Sequence, residues 1–169
     1  MFAELLVLIA LPLLLAAAGA YDLASFTIPN FLPAALVAGF LAFALAAHLG
    51  APGFAWHLLA GFIGLMVGFT LFAFGYIGGG DAKLYAALVL WLGLKDLMSY
   101  TLVATLLGGV LTLMLLGLRH LPLPAFLARQ AWLVRLHDDK SGIPYGVALA
   151  AGLFVVLPSS EILRLAAGA

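Results

Sequence analysis

The sequence lacks cysteine altogether and is poor in charge. Without cysteine there is no disulfide bond, no thiolate nucleophile and no cysteine–zinc site. Only 8% of the 169 residues are charged, and the seven basic and seven acidic side chains cancel. A chain without an excess of basic residues carries no electrostatic footprint for a nucleic-acid partner. Because charges are so few, each one needs a reason for its position.

Apolar residues take the place of the missing charges. They make up 66% of the chain, at a mean hydropathy of +1.25, whereas soluble domains hold about 45–50%. A soluble fold of this size has too little polar surface to cover so many apolar groups. We therefore expect an all-α, polytopic membrane protein with about six transmembrane helices, forming a single domain over residues 1–169. Turn residues and charges place these helices at about 5–20, 32–48, 54–77, 84–94, 97–118 and 144–157.

The first apolar run ends in Ala18-Gly19-Ala20, which resembles the cleavage site of a secretory signal peptide. No Lys or Arg precedes the run, and Glu4 has the wrong sign for the start of a signal peptide. We therefore expect a retained first helix.

The segment 119–142 is the long polar connection, and it indicates the orientation in the membrane. Its stretch 126–136 fits an interfacial amphipathic helix and a solvated basic loop equally well. Four of the seven basic residues lie in this segment: Arg119, Arg129, Arg135 and Lys140. The positive-inside rule places the segment in the cytoplasm. Counting back through the predicted spans puts Asp22 and Asp81 on that same side, both at helix ends.

These two aspartates are the candidates for chemistry, since ionisable residues at membrane depth are costly and therefore usually functional. Two neighbouring carboxyl groups share one proton, because both cannot ionise at once. In such a dyad the ionised member takes a proton from water, and the protonated member polarises the carbonyl to be cleaved. No serine–histidine–acid set competes with this dyad, because the serines lack an adjacent base in any obvious motif. We expect no cofactor. We expect no metal either, because the histidines lie in separate segments: His48, His57, His120 and His137.

The residues near the aspartates have architectural interpretations. The run Gly78-Gly79-Gly80 before Asp81 predicts a shaped loop that lines a cavity. Lys83 is predicted to be a snorkelling anchor or a charge partner, and Pro29-Asn30 to form a turn. Tyr145 fits either a hydrogen-bond donor close to the dyad or an aromatic side chain at the membrane interface.

Three short motifs lie in order along the chain. Asp22 is followed by Ile28-Pro29-Asn30, then by Gly78-Gly79-Gly80-Asp81-Ala82-Lys83, and Pro144-Tyr145-Gly146-Val147-Ala148 opens the last helix. Together they resemble the type IV prepilin peptidases, a bacterial family of polytopic aspartic peptidases. That family has an aspartate before Ile-Pro-Asn, a Gly-x-Gly-Asp-x-Lys motif and a Pro-Tyr-Gly-x-Ala motif. The resemblance implies that Asp22 and Asp81 are catalytic and that the other motif residues shape the site.

The resemblance also implies a reaction and its partners. The family removes the leader peptide from a prepilin or pseudopilin at the cytoplasmic face of the inner membrane, typically after a glycine and just before the hydrophobic helix of the pilin. The implied partners are this precursor and the lipid bilayer, and the oligomeric state stays open. Larger relatives carry an N-methylating domain with paired Cys-x-x-Cys motifs, and this sequence has no such insert. It resembles the short branch that processes Flp-type (tight-adherence) pilins, so we expect peptidase activity without methyl transfer.

Two other interpretations remain. One is an intramembrane protease of the presenilin or signal-peptide-peptidase type, whose Tyr-Asp motif is echoed by Tyr21-Asp22. The other is a small proton-linked transporter subunit in which the aspartates relay protons. Six spans and the Ile-Pro-Asn motif fit the prepilin branch better than the presenilin type. The transporter interpretation predicts ion or proton flux in liposomes and no proteolysis.

Overall fold

The computed structural model describes residues 1–124 and 126–168, and within these ranges every regular element is helical. Short 3₁₀ turns lie at Leu127–Arg129 and Leu157–Ser159. The α-helices of the described ranges are α1 Phe2–Ser25, α2 Phe31–Ala46, α3 Ala51–Ala73, α4 Gly79–Arg119, α5 Ala131–His137, α6 Tyr145–Val156 and α7 Glu161–Ala167. The predicted all-α fold is therefore confirmed.

The lengths of the helices and their exposed side chains are those of a membrane protein. Within the described ranges, α1, α3 and α4 are long and apolar enough to cross a bilayer, and α6 with α7 would add a fourth span bent by 55°. The 16-residue helix α2 is shorter. Large apolar side chains stay exposed along these helices, as a surface that faces lipid requires: examples are Leu13, Leu45, Phe62 and Leu106. The count of six spans remains a prediction.

The helix α4 contains two of the predicted spans. It has 41 residues and is broken at Gly93, whose φ of 73° and ψ of −178° only glycine adopts readily. The predicted boundary at Lys95-Asp96 is therefore wrong by two residues. His57 of α3 fills the break: its Nδ1 lies 2.9 Å from the Leu90 carbonyl oxygen. A Cβ atom at Gly93 would lie only 3.0 Å from the His57 ring.

A seam of small residues brings α3 against the first half of α4. A Cβ atom at Gly64 would lie 2.2 Å from Val89 Cγ2, and one at Gly68 would lie 3.0 Å from the Ala82 carbonyl oxygen. Such close approach of two backbones is how helices associate in lipid, where burial of apolar surface gives no net driving force. Because Gly68 faces Ala82, the end of α3 lies directly beside Asp81.

The second half of α4 packs against α6 and α7. A Cβ atom at Gly152 of α6 would lie 3.0 Å from the Ala104 Cα atom. At the far end of α6 the chain bends into α7, where the Glu161 N–H donates to Asp96 Oδ2 at 2.7 Å and Lys95 pairs with the Glu161 carboxylate. The Lys95-Asp96 pair, predicted as a helix end, thus anchors the start of α7.

The end of α1 turns the chain towards the site. The helix stops at Phe26, whose φ of 54° is left-handed and whose N–H donates to the Asp22 carbonyl oxygen at 2.7 Å. Near its other end, α1 contains a π-helical segment, Leu6–Ala10, just before Pro12. Proline has no N–H to continue the regular ladder, which accounts for the irregular turn.

The polar connection is tied to the start of α6. Arg119, at the end of α4, donates from Nε to the Leu136 carbonyl oxygen at 3.0 Å and from its guanidinium to the Gly142 carbonyl oxygen at 2.9 Å. The predicted stretch 126–136 holds a 3₁₀ turn and the short helix α5 instead of one continuous helix.

Candidate active site

Asp22 lies in the last turn of α1 and is buried, with 4% of its surface exposed. Its carboxylate Oδ2 accepts a hydrogen bond of 2.6 Å from the N–H of Gly146, 124 residues further along the chain. Gly146 is the second residue of α6, where backbone N–H groups have no partner within the helix. Asp22 therefore caps a helix other than its own.

Asp81 is the third residue of α4 and is also buried, with 9% exposed. Its Oδ2 accepts a hydrogen bond of 3.2 Å from the Gly78 N–H, the position before the helix begins. An acidic side chain at this third position commonly reaches back in this way. The predicted glycine loop is wrong for two of its residues, because Gly79 and Gly80 already belong to α4.

The start of α6 leaves no room for a side chain beside Asp22. A Cβ atom at Gly146 would lie 2.8 Å from Asp22 Oδ2, closer than real Cβ contacts. Ile28 packs against Gly146 and against Gly80, the residue before Asp81. Asp22 and Asp81 thus lie beside two helix starts that share one neighbour, Ile28.

The Ile28 side chain lies between Gly80 and Gly146. A Cβ atom at Gly80 would lie 3.1 Å from Ile28 Cβ, and one at Gly146 would lie 2.7 Å from Ile28 Cδ1. This side chain therefore packs against the starts of both α4 and α6. Sequence reasoning used Ile28 only as part of a motif. The sequence does hold a signal for this packing role: an apolar residue next to a proline, between two helix ends that carry aspartates.

The turn that carries Ile28 is fixed at its other end. Pro29 precedes α2 and Asn30 is its cap residue. The Lys83 ammonium donates to Asn30 Oδ1 at 2.8 Å. Lys83 thus links the Pro29-Asn30 turn to the start of α4. This contact matches neither predicted role of Lys83, the snorkelling anchor or the charge partner, because Asn30 is a neutral amide.

The other motif residues lie at the start of α6. Pro144 is the cap residue of that helix and Tyr145 its first residue. The Tyr145 ring packs against α4, since a Cβ atom at Gly108 would lie 3.5 Å from it. Tyr145 therefore lies within the protein beside the dyad, as part of a cavity wall.

A cavity of about 570 Å³ opens beside Asp81. Its walls come from the end of α3, both halves of α4 and the start of α6, and they are mostly apolar. Oδ1 of Asp81 is buried and has no hydrogen-bond partner among the described residues. Asp81 therefore lies beside the cavity with one carboxylate oxygen that the described residues leave without a hydrogen bond.

This arrangement suits acid–base chemistry. Two buried carboxyl groups in the same region of a protein hold a single proton more readily than two negative charges. One group can then act as a base and the other as an acid.

Comparison with known proteins agrees with this geometry. The model of the type IV leader peptidase family matches residues 9–113. The matched range is well over half of the chain and includes Asp22, Ile28-Pro29-Asn30 and Asp81. No curated protein and no solved structure gives a significant match. The chain belongs to the type IV leader peptidase family.

Proposed function

We propose that the protein is a membrane-embedded aspartic endopeptidase that removes the leader peptide from prepilins or pseudopilins at the cytoplasmic face of the inner membrane. Family membership supports peptidase activity. The observation that supports the aspartic mechanism is the burial of the Asp22 and Asp81 carboxylates at two helix starts that share the neighbour Ile28, with Asp81 beside a cavity.

In the proposed reaction the ionised aspartate removes a proton from water, and the oxygen of that water bonds to the carbon of the scissile carbonyl. The protonated aspartate gives its proton to the carbonyl oxygen, so that a neutral gem-diol forms. The aspartic acid that took the proton from water then gives a proton to the peptide nitrogen, while the other, now ionised, aspartate takes a proton from a gem-diol hydroxyl. The C–N bond breaks, and an amine and a carboxylic acid are released. The dyad ends with one proton, as it began. No metal or cofactor enters these steps.

The placement at the cytoplasmic face is supported by the basic segment. Arg119 ties this segment to Gly142, four residues before the Gly146 amide that binds Asp22. The end of the helix bundle that holds the dyad is therefore also the end that holds the remaining basic residues, Arg129, Arg135 and Lys140. The positive-inside rule assigns such an end to the cytoplasm.

The other motif residues are proposed to hold this geometry. Ile28 spaces the two helix starts, and the Lys83–Asn30 hydrogen bond holds the Pro29 turn against α4. Gly80 allows the turn that carries Ile28 to approach α4 closely, Gly79 lies against Phe72 of α3, and the Gly78 N–H binds Asp81. On the other side of the site, α6 begins at Pro144, Tyr145 and Gly146, and this start puts the Gly146 N–H next to Asp22. The absence of a methylating insert supports activity of the Flp-pilin type without methyl transfer.

The test is cleavage of a candidate prepilin by the protein in liposomes. We expect Asp22→Asn and Asp81→Asn each to lower cleavage by roughly 100- to 10,000-fold, the usual contribution of a general acid or base. Asp139→Asn is the matched control, because it makes the same change at an exposed aspartate outside the site and should cleave like the wild type.

Two outcomes would contradict the proposal. Cleavage by Asp22→Asn or Asp81→Asn at the wild-type rate would remove the dyad mechanism. Proton flux into the liposomes without any proteolysis, abolished by the same substitutions, would instead identify a transporter subunit.

A further inference from the structure

We propose that the cavity beside Asp81 receives the apolar helix of the precursor, and that one small-residue face of α4 is the surface on which this helix docks. The inference rests on the proposed function and extends it from the dyad to the part of the substrate that is not cleaved. We call this face the α4 groove. It consists of Thr101, Thr105, Gly108, Gly109 and Thr112, all of which line the cavity.

The α4 groove is shaped for a helix. Its residues recur at intervals of three or four along α4 and so lie on one face over about 16 Å, roughly three helical turns. All five are small, and small residues let two helix backbones come close in lipid. Gly109 leaves open space, since a Cβ atom there would have no neighbour within 4 Å.

Two of the three threonine hydroxyls of the groove are bound within the protein. Thr101 Oγ donates to the Leu97 carbonyl oxygen and Thr112 Oγ donates to the Gly108 carbonyl oxygen, each at 2.7 Å. The Tyr85 hydroxyl, in the same wall, bonds to Thr101 at 2.7 Å. The surface that a guest meets is therefore mostly apolar. An apolar helix fits such a surface better than a polar ligand does.

A second observation ties the groove to the reacting end of the substrate. Asp81 lines the same cavity, is nine-tenths buried, and has no hydrogen-bond partner for Oδ1 among the described residues. Because the groove and Asp81 line one cavity, a guest whose peptide bond reaches Asp81 can place the residues that follow this bond along the groove. In the proposed substrate those residues form an apolar helix, so scissile bond and helix would occupy one continuous cavity.

Gly109→Phe tests the docking surface by filling it. The matched control is Gly117→Phe, which places the same ring on the same helix where a Cβ atom also has no neighbour within 4 Å, but outside the cavity. Each variant is assayed with a full-length prepilin and with a short peptide that spans the cleavage site but lacks the helix. The readout is the ratio of kcat/KM for the two substrates.

We expect Gly109→Phe to lower this ratio by roughly tenfold, mainly through KM, because close packing of the two helices is lost. Gly117→Phe should leave it unchanged. An unchanged ratio in Gly109→Phe, or an equal fall in Gly117→Phe, would overturn the inference. The groove would then be a surface that faces lipid. The proposed function is judged separately, by wild-type cleavage of the prepilin and its loss in Asp81→Asn.

Cross-linking decides the matter if Gly109→Phe does not fold. The chain has no cysteine, so Gly109→Cys supplies a unique thiol, combined with Asp81→Asn to keep the substrate intact. Single cysteines are placed along the prepilin helix, and copper phenanthroline serves as the oxidant. We expect a disulfide with Gly109→Cys at helically spaced positions and none with Gly117→Cys. The absence of any cross-link to Gly109→Cys would overturn the inference.

Discussion

Replacement of Gly146 by alanine is the most direct test of how the dyad is held. The added Cβ atom would lie 2.7 Å from Ile28 Cδ1, 2.8 Å from Asp22 Oδ2 and 3.1 Å from Asp22 Cβ. Ile28 Cδ1 is the end of a flexible side chain and can rotate away. Asp22 cannot move without stretching the 2.6 Å hydrogen bond from the same Gly146 amide.

The size of the effect follows from that hydrogen bond. A hydrogen bond to a charged group contributes about 1.5–3 kcal/mol. If this amount is lost from the positioning of Asp22 in the transition state, kcat/KM falls roughly 10- to 150-fold. The effect should be smaller than that of Asp22→Asn, because the carboxyl group is displaced and not removed.

The assay is prepilin cleavage in liposomes, with thermal unfolding of the purified protein measured in parallel. Gly142→Ala is the matched control, since a Cβ atom there has no neighbour within 4 Å, and it should stay within about twofold of the wild type. Full activity in folded Gly146→Ala would refute the proposed role of the amide. An equal loss in Gly142→Ala would show that the connection before α6 tolerates no change, whatever the dyad does.

Two further substitutions separate stability from catalysis. Gly93→Ala puts a side chain at a backbone conformation open almost only to glycine and against the His57 ring, so we expect it to destabilise the protein by about 1–3 kcal/mol; an unchanged melting temperature would contradict this account of the α4 break. Lys83→Met removes an exposed hydrogen bond to Asn30, worth about 0–1 kcal/mol, so cleavage should fall at most about fivefold. A loss as large as that of Asp81→Asn would instead assign Lys83 a part in the chemistry.

Composition and motifs predicted the helical class and the family, but not the helix ends around the two aspartates. Charge is a good marker of where a chain leaves lipid, which explains why Lys95-Asp96 looked like a boundary. The break is set two residues earlier by the conformation of Gly93 and by His57. A histidine 33 residues before the carbonyl group it contacts has no local sequence signature.

The three glycines before Asp81 show a second limit of sequence reasoning. Glycine is unfavourable inside a helix, so a run of three predicted a loop. The first turn of a helix is more permissive, because its N–H groups bind partners outside the helix. Gly79 and Gly80 occupy that first turn, and Gly80 gives room to Ile28. The need for small residues came from a neighbour in space, which one sequence does not reveal.

The same geometry explains how two carboxylates can be buried in a membrane protein. Asp22 binds the start of α6 and Asp81 binds the start of α4, and backbone N–H groups at a helix start favour negative charge. For Asp22 the dipole of α1, in whose last turn it lies, acts in the opposite direction. These hydrogen bonds account for one oxygen of each group. They do not account for Oδ1 of Asp81, which is buried and has no partner among the described residues. Because the amide oxygen of asparagine can accept the same hydrogen bond from the Gly78 N–H, Asp81→Asn should keep the helix start intact while it removes the acid. A folded Asp81→Asn protein without cleavage activity would therefore separate the chemical role of this side chain from its structural one.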